Sequence, residues 1–239
     1  MGIAVYWDID GTLLLSPPGR ADLFLQAIEG LGGTPVKPAG RREGLTDRRV
    51  GELYLEAAGM SLDRLDDYLA ELDVRSATYY LEHPRALMPG VHDALADVAA
   101  RGWRQALMSG NTPSRIRTKL FTAGIDPSTF DMATSVSGGF VSDRRELGGQ
   151  ARERSGDDLL VVVGDTPHDL LAAQAADAVF IGVNADPAVR DELAKSALVV
   201  VETLADPAFA AALDRVAGGT GGAATARAAG ADQPITPNA

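Results

Sequence analysis

The chain has no cysteine. That excludes a disulfide framework, a thiol nucleophile and a thiolate metal site. Positive charge is scarce, with 22 Lys and Arg against 33 Asp and Glu and a net charge of -11. A protein that grips nucleic acid needs a basic face, so no nucleic-acid partner is expected. A small phosphorylated ligand remains open, because a few local cations and a metal can receive one. Lysine is confined to Lys37, Lys119 and Lys195. No apolar run approaches membrane-spanning length. The first residues read as a strand rather than a basic segment and apolar run, so no secretory leader is expected. Met1-Gly2 is followed by Tyr6 where myristoylation favours Ser or Thr, so no lipid anchor is expected either. These absences describe a cytoplasmic protein with no membrane partner, as a monomer or small homo-oligomer.

What is present is an ordinary globular composition, 46% hydrophobic and 23% charged over 239 residues. That is enough for one large domain or two modest ones with a sizeable core. A β-prone run, Ile3 to Trp7, leads into Asp8-Ile9-Asp10-Gly11-Thr12. A turn at Gly11 frees two carboxylates to converge at a strand end. Such a pair can hold a divalent cation, attack an electrophile or move a proton. It can also be no more than an acidic turn.

A turn through Ser16-Pro17-Pro18-Gly19 follows, then three amphipathic helices. The first carries Phe24, Ala27, Ile28 and Leu31 on one face. The second, capped by Thr46 or Asp47, carries Val50, Leu53, Tyr54 and Ala57. The third, capped by Ser61, carries Leu62, Leu65, Leu69 and Leu72. Residues 16–87 offer no clear strand and read as an all-helical insertion. Beyond Pro89 the pattern alternates. Helices begin near Val91, Thr112-Pro113, Glu146, Pro167, Pro187 and Pro207, and strands are expected at Trp103–Met108, Phe130–Val136, Asp158–Val163, Val179–Val183 and Leu198–Val201. Alternating strand and helix means an α/β fold with a doubly wound parallel sheet. Ala217–Ala239 is rich in Gly, Ala, Thr and Pro without apolar periodicity, and reads as a disordered tail. The expected division is a core of residues 1–15 and 88–216, an insertion of 16–87 and a tail of 217–239.

Three expected strand ends carry polar residues of the kind catalysis needs: Asp8 and Asp10, Ser109, and Asp165 with Asp169. In open parallel sheets, ligands bind beyond the carboxyl ends of the strands. The motifs Asp8-Ile9-Asp10-Gly11-Thr12, Met108-Ser109-Gly110-Asn111 and Gly164-Asp165-Thr166-Pro167-His168-Asp169, in that order, resemble the haloacid dehalogenase-like hydrolase superfamily. With Gly44-Leu45-Thr46-Asp47 at a helix start in the inserted cap, the chain is most similar to the phosphoglycolate-phosphatase-like members.

That resemblance implies a Rossmann-like core, a helical cap and a Mg²⁺-dependent phosphatase acting on a small phosphorylated metabolite. Asp8 would be the nucleophile that becomes an aspartyl phosphate. Asp10 would protonate the leaving alcohol and then activate water. The metal would be held by Asp8, the Asp10 main-chain carbonyl and Asp165, with Asp169 supporting them. Ser109 would hold a phosphoryl oxygen, helped by Gly110 and Asn111, and Thr12 would position the first turn. The family also needs a cation between the second and third motifs, usually lysine. Lys119 falls too early for the usual spacing, so Arg144 is the candidate, with Arg145 second. His168 reads as a spacer or rim residue, and His83 and His92 as surface or junction residues. Arg41, Arg42, Arg48 and Arg49 form a basic loop, solvated or facing an anionic substrate. A phosphomutase is the alternative within the same chemistry, and a phosphate-binding regulatory module the alternative outside it.

Overall fold

A five-residue strand, Ile3–Trp7 (β1), is hydrogen-bonded on both sides and forms the middle of the sheet. In this computed structural model, which describes residues 2–16 and 22–228 and side chains as far as Gly219, three helices follow it: α1 (Leu23–Gly30), α2 (Asp47–Ala57) and α3 (Leu65–Glu82). The alternating region then runs α4 (Val91–Ala100), β2 (Arg104–Ser109), α5 (Pro113–Thr122), β3 (Val136–Ser137), α6 (Arg144–Ser155), β4 (Leu159–Gly164), α7 (Pro167–Ala175), β5 (Val179–Val183), α8 (Pro187–Leu193), β6 (Val199–Val201) and α9 (Pro207–Ala228). Every strand pair is parallel and the order is β3-β2-β1-β4-β5-β6. The chain steps outward from β1 to β2 and β3, then returns to place β4 on the other side of β1. That reversal opens a crevice at the carboxyl ends of β1 and β4, where doubly wound sheets bind ligands.

Strand periodicity divides the core into two layers. Val5 and Trp7 point to one face with Leu107, Val161, Val163 and Ile181, beneath α4, α5 and α9. Ala4 and Tyr6 point to the other with Met108, Leu160, Val162 and Phe180, beneath α6 and α7. Burial on both faces explains why β4 reads as an unbroken apolar run. The helices α1 to α3 gather a third cluster of their own around Ile28, Tyr54, Tyr68 and Leu72. No helix among the described residues is long and apolar enough to cross a membrane.

Several elements depart from the sequence reading. The strand expected at Phe130–Val136 shrinks to Val136–Ser137. The Asp131 carboxylate accepts bonds from the backbone N–H groups of Ala133 and Thr134, and Ser135 donates back to its carbonyl, so the segment coils locally. Leu62 belongs to a 3₁₀ turn ahead of α3 and is exposed, which shifts the buried stripe to Leu65, Tyr68, Leu69 and Leu72. On α2 the inward places go to Gly51 and Leu55 rather than Leu53 and Ala57, because α3 packs so close that Gly51 faces Tyr68 directly. The last helix extends to Ala228 where an unstructured tail was expected from Ala217, in keeping with the helix propensity of its alanines. Residues 17–19 of the expected turn and residues 229–239 of the tail lie outside the described residues.

The insertion rests on the core through the start of α2. Thr46 caps that helix and its hydroxyl donates to the Ser142 carbonyl at 3.2 Å, while the Asp47 N–H donates to the Gly110 carbonyl at 2.6 Å. The Asp47 carboxylate accepts from the Thr112 N–H at 2.7 Å and pairs with Arg115. Both members of that pair are 5% exposed. Removing one partner of such a pair leaves a buried charge uncompensated. Asp47→Ala is therefore expected to cost about 3 kcal/mol or more in urea unfolding; a loss of well under about 1 kcal/mol would show that the junction does not depend on it.

Candidate active site

β1 ends at Trp7 and Gly11 takes φ +92° just beyond the two acids, but Asp8 and Asp10, expected to converge on one spot, take separate partners. A side chain at Gly11 would place its Cβ 2.0 Å from Asp165 Oδ2, so glycine is what admits the carboxylate arriving from the end of β4. Gly164 does the same for Asp169, which a Cβ there would meet at 2.4 Å. Carboxylate oxygens of Asp8, Asp165 and Asp169 thereby come within 4.8 Å of one another. The Asp169 carboxylate also closes a capping box on Thr166 at the start of α7.

One cation sits among these three acids. Arg144, the first residue of α6, donates from Nη2 to Asp8 Oδ1 at 2.5 Å and to Asp169, and from Nη1 to the Gly44 carbonyl at 3.1 Å. Its neighbour Arg145 points outward, 65% exposed, and pairs with Asp143. Burial lifts the Asp8 carboxyl to about 7 despite the pull of Arg144, with Asp169 and Asp10 adding to the rise. Burial and the neighbouring acids also hold Asp165 well above the usual carboxylate range. The carboxylate donors are all oxygen and, when ionised, exceed the charge of Arg144 by two. That donor set fits a hard divalent cation, which would favour the ionised carboxylates again.

Asp10 turns away from this cluster and meets two cations and an amide. Lys119 donates to Asp10 Oδ2, Asn111 Nδ2 donates to the same oxygen at 2.8 Å, and Arg85 Nη2 donates to Oδ1 at 2.5 Å. Burial works to raise the Asp10 carboxyl, but Lys119, Arg115 and Asn111 together bring it down to about 2. Neither Lys119 nor Arg85 was a site residue in the sequence reading. Lys119 does share the buried face of α5 with Arg115, Ile116 and Leu120, and two cations on an inward stripe are a legible signal. Arg85 lies in an irregular segment with no such pattern.

The β2 turn contributes Ser109, whose Oγ accepts from Asn111 Nδ2 at 2.9 Å and from the Asn111 N–H at 3.3 Å. No acceptor among the described residues takes the Ser109 hydroxyl proton. Gly110 and Asn111 line a cavity of about 410 Å³ together with Asp8, Asp10, Asp165 and Arg144. Ser109 and Thr12 lie behind that wall, fully buried, and the Thr12 hydroxyl has no partner among the described residues. The insertion closes the cavity with Leu23, Phe24, Tyr80 and the loop carrying Lys37 and Arg42. Of the four loop arginines, only Arg42 reaches this wall, paired with Asp22 at 3.1 Å. His168 borders a neighbouring cavity beside Thr46 and Glu52. His83 stacks on Tyr79, and His92 is exposed on α4.

A family model described as haloacid dehalogenase-like hydrolase matches residues 5–174, which span both acidic strand ends and Arg144. The chain belongs to that family of enzymes. Hydrolases of the family generally use Mg²⁺, its phosphatases act on phosphorylated small molecules, and the acidic cluster here suits such an ion. The probable phosphatase IndB of Dickeya dadantii is 28% identical over 225 residues, covering 87% of this chain and 92% of its own. Among solved structures, CbbY from Rhodobacter sphaeroides in complex with phosphate has a TM-score of 0.71 at 19% identity, over 90% of this chain and all of that one. The β-phosphoglucomutase of Clostridium difficile has a TM-score of 0.65 at 16% identity, over 90% and 96%. At these identities the likeness is one of fold, and it includes the helical insertion as well as the sheet.

The clamp on Asp10 makes a prediction with a sign. A carboxyl held lower in the folded chain than in the unfolded one adds stability above the unfolded value, near pH 4, and loses it as pH falls toward 2. Without metal, Asp10→Asn should cost about 3 kcal/mol at pH 7 by urea unfolding, and the gap to wild type should narrow between pH 4 and pH 2. A gap that stays constant over that range would contradict the clamp.

Proposed function

We propose that this hydrolase is a Mg²⁺-dependent phosphatase that hydrolyses a small soluble phosphate monoester through a phosphorylated Asp8. The observation that carries the reading is the position of Asp8, at the cavity wall, bonded to Arg144 and grouped with Asp165 and Asp169. A carboxylate cannot approach a phosphate dianion without positive charge beside both. Arg144 supplies one such charge in a planar fork suited to phosphate, in place of the ammonium usual at this position in the family. Asp8, Asp165 and the Asp10 main-chain carbonyl would hold Mg²⁺, with Asp169 as ligand or support. Such an ion would supply charge neutralisation to the phosphoryl group.

In the first step an Asp8 carboxylate oxygen attacks phosphorus, the bond to the alcohol oxygen breaks, and that oxygen takes a proton from Asp10. In the second step water attacks phosphorus and gives a proton to Asp10, the bond to Asp8 breaks and phosphate leaves. The clamp keeps Asp10 ionised and oriented at rest, so before the first step it must loosen and Asp10 must take up a proton from solvent; in later turnovers the proton taken from water in the second step serves. The N–H groups of Gly110 and Asn111 would bind phosphoryl oxygens where negative charge gathers, with Ser109, fully buried behind them, holding the Asn111 side chain and turn in place. Asn111 orients Asp10 as well, through its side chain. Thr12 supports the Asp8–Asp10 turn from behind. The enclosing helices limit the substrate to metabolite size, since a cavity of about 410 Å³ falls at the small end of ligand pockets.

Release of phosphate from p-nitrophenyl phosphate with Mg²⁺ tests the reading. Asp8→Asn should lower kcat by about 10³ or more, and chelation of the metal should abolish turnover reversibly. Arg144→Ala should cost at least about 10² in kcat/KM, against no more than about threefold for the exposed Arg145→Ala. Equal small losses for the two arginines, or turnover that persists in Asp8→Asn, would overturn the assignment. Phosphoryl transfer to a sugar hydroxyl instead of water would favour a phosphomutase.

A further inference from the structure

The first turn of a helix leaves its N–H groups without partners inside the helix. At the start of α2 two of those groups go to the core. The Arg49 N–H stays local, donating to Thr46 Oγ1 at 3.1 Å. The Asp47 N–H donates to the Gly110 carbonyl at 2.6 Å, and the Arg48 N–H donates to the Gly138 carbonyl at 3.2 Å. Both acceptors sit in turns that follow core strands, β2 and β3. The approach is backbone on backbone. A Cβ at Gly110 would lie 2.7 Å from the Leu45 carbonyl oxygen, and one at Gly138 would lie 2.3 Å from the Gly110 carbonyl oxygen.

Asp47 holds the β2 turn at two points. Its N–H takes the Gly110 carbonyl, and its Oδ2 accepts from the Thr112 N–H at 2.7 Å. Its other oxygen is held by Arg115, and the Thr112 hydroxyl donates to Asp73 on α3. Asn111 lies between the two points. The Gly110 carbonyl and the Asn111 N–H belong to one planar trans peptide, so fixing the carbonyl toward α2 turns the N–H away from α2. The Asn111 carbonyl and the Thr112 N–H form the next peptide. Asp47 holds that peptide at its N–H, and the Ser137 hydroxyl donates to its carbonyl at 2.6 Å. Both peptide planes beside Asn111 are thereby set, and with them the side chain that reaches Asp10. The Asn111 N–H itself makes a long bond of 3.3 Å to Ser109 Oγ.

On the phosphatase reading, on which this inference rests, the N–H groups of Gly110 and Asn111 receive phosphoryl oxygens. We propose that Asp47, a residue of the insertion, is a positioning residue for phosphoryl transfer, acting through the β2 turn to aim the Gly110–Asn111 peptide at the phosphoryl group. Its pair with Arg115 fastens the insertion to the core, and its bonds to Gly110 and Thr112 align the donors. Misaligned donors lose the most in the transition state, where charge on the phosphoryl oxygens develops.

The test is steady-state hydrolysis of p-nitrophenyl phosphate by the Mg²⁺-loaded enzyme, together with calorimetric binding of inorganic phosphate. Asp47→Ala should lower kcat by about 10- to 100-fold, change KM by less, and weaken phosphate binding at least about threefold. Phosphate stoichiometry should remain that of wild type, which a partly unfolded sample would not show. Glu52→Gln controls for docking alone, since Glu52 accepts the Ser142 hydroxyl and ties α2 to the core away from the β2 turn. It should stay within about threefold of wild type in both readouts. If Asp47→Ala does not fold, Asp47→Asn takes its place. It keeps the volume but offers one acceptor oxygen to two donors, and should lose at least about threefold in kcat at unchanged stoichiometry. Wild-type kcat and phosphate affinity in the folded Asp47 variant overturn the proposal. So does a loss confined to KM, a loss that Glu52→Gln reproduces, or a stoichiometry that falls in step with kcat. If the wild type turns over no phosphate ester, the phosphatase reading has failed. The role of Asp47 is then judged by phosphate calorimetry, where no binding to wild type, or equal affinity in wild type and variant, rejects it.

Discussion

Four carboxylates at the ends of two adjacent strands repel one another, and the site depends on how that repulsion is relieved. Asp8, Asp165 and Asp169 are brought together by the parallel pairing of β1 with β4 and by two glycines that let the acids pack against backbone. Arg144 neutralises part of this group and leaves room for a divalent charge. Asp10, two residues from Asp8, is kept out of it by cations from elsewhere in the chain. Two acids that look equivalent in sequence thus acquire opposite environments, one raised in proton affinity and one lowered. Pairs of acids driven apart in this way can divide nucleophilic and proton-transfer duties between them.

The helical insertion contributes to this arrangement as well as covering it. Its outgoing and returning segments run side by side, with the Leu15 N–H donating to the Ala86 carbonyl at 2.9 Å and the Met88 N–H to the Leu13 carbonyl at 2.9 Å. Arg85 extends from that pair of segments into the site. At the opposite edge, the Gly44 carbonyl receives Arg144, and Asp47 ties the start of α2 to the β2–α5 turn. A Cβ at Gly44 would lie 2.7 Å from Thr166 Oγ1, and φ there is +79°, so that contact between insertion and core requires glycine. Cations that face the active-site acids are therefore themselves held by the insertion, and cap placement and site electrostatics are one structural problem.

Local chemistry explains which parts of this were legible in the sequence. The acidic turns after β1 and β4, the Ser109 turn and the Thr112-Pro113 helix start announce themselves within a few residues, and continuous apolar runs announce a sheet covered on both faces. The strand at Phe130–Val136 was not legible, because the Asp131 side chain captures neighbouring N–H groups that a ladder would need. Arg144 lies at a helix start with a capping box, so it could be placed near the strand ends, and it lies against Asp8 while Arg145 does not. Lys119 and Arg85 meet Asp10 across 109 and 75 residues of chain. Spacing relative to the motifs argued against Lys119, whereas burial on the face of α5 brings it in. Tertiary packing decided that position.

On the proposed mechanism the Asp8 carboxylate receives the phosphoryl group. The most direct measurement is acid quench of the enzyme within its first turnover, with Mg²⁺ and a phosphate ester, followed by peptide mass spectrometry. The account predicts one added phosphoryl group on the peptide that contains Asp8, localised to that residue and absent from the Asp8→Asn chain. Turnover with no phosphorylated peptide, or with the group on any other residue, would contradict it.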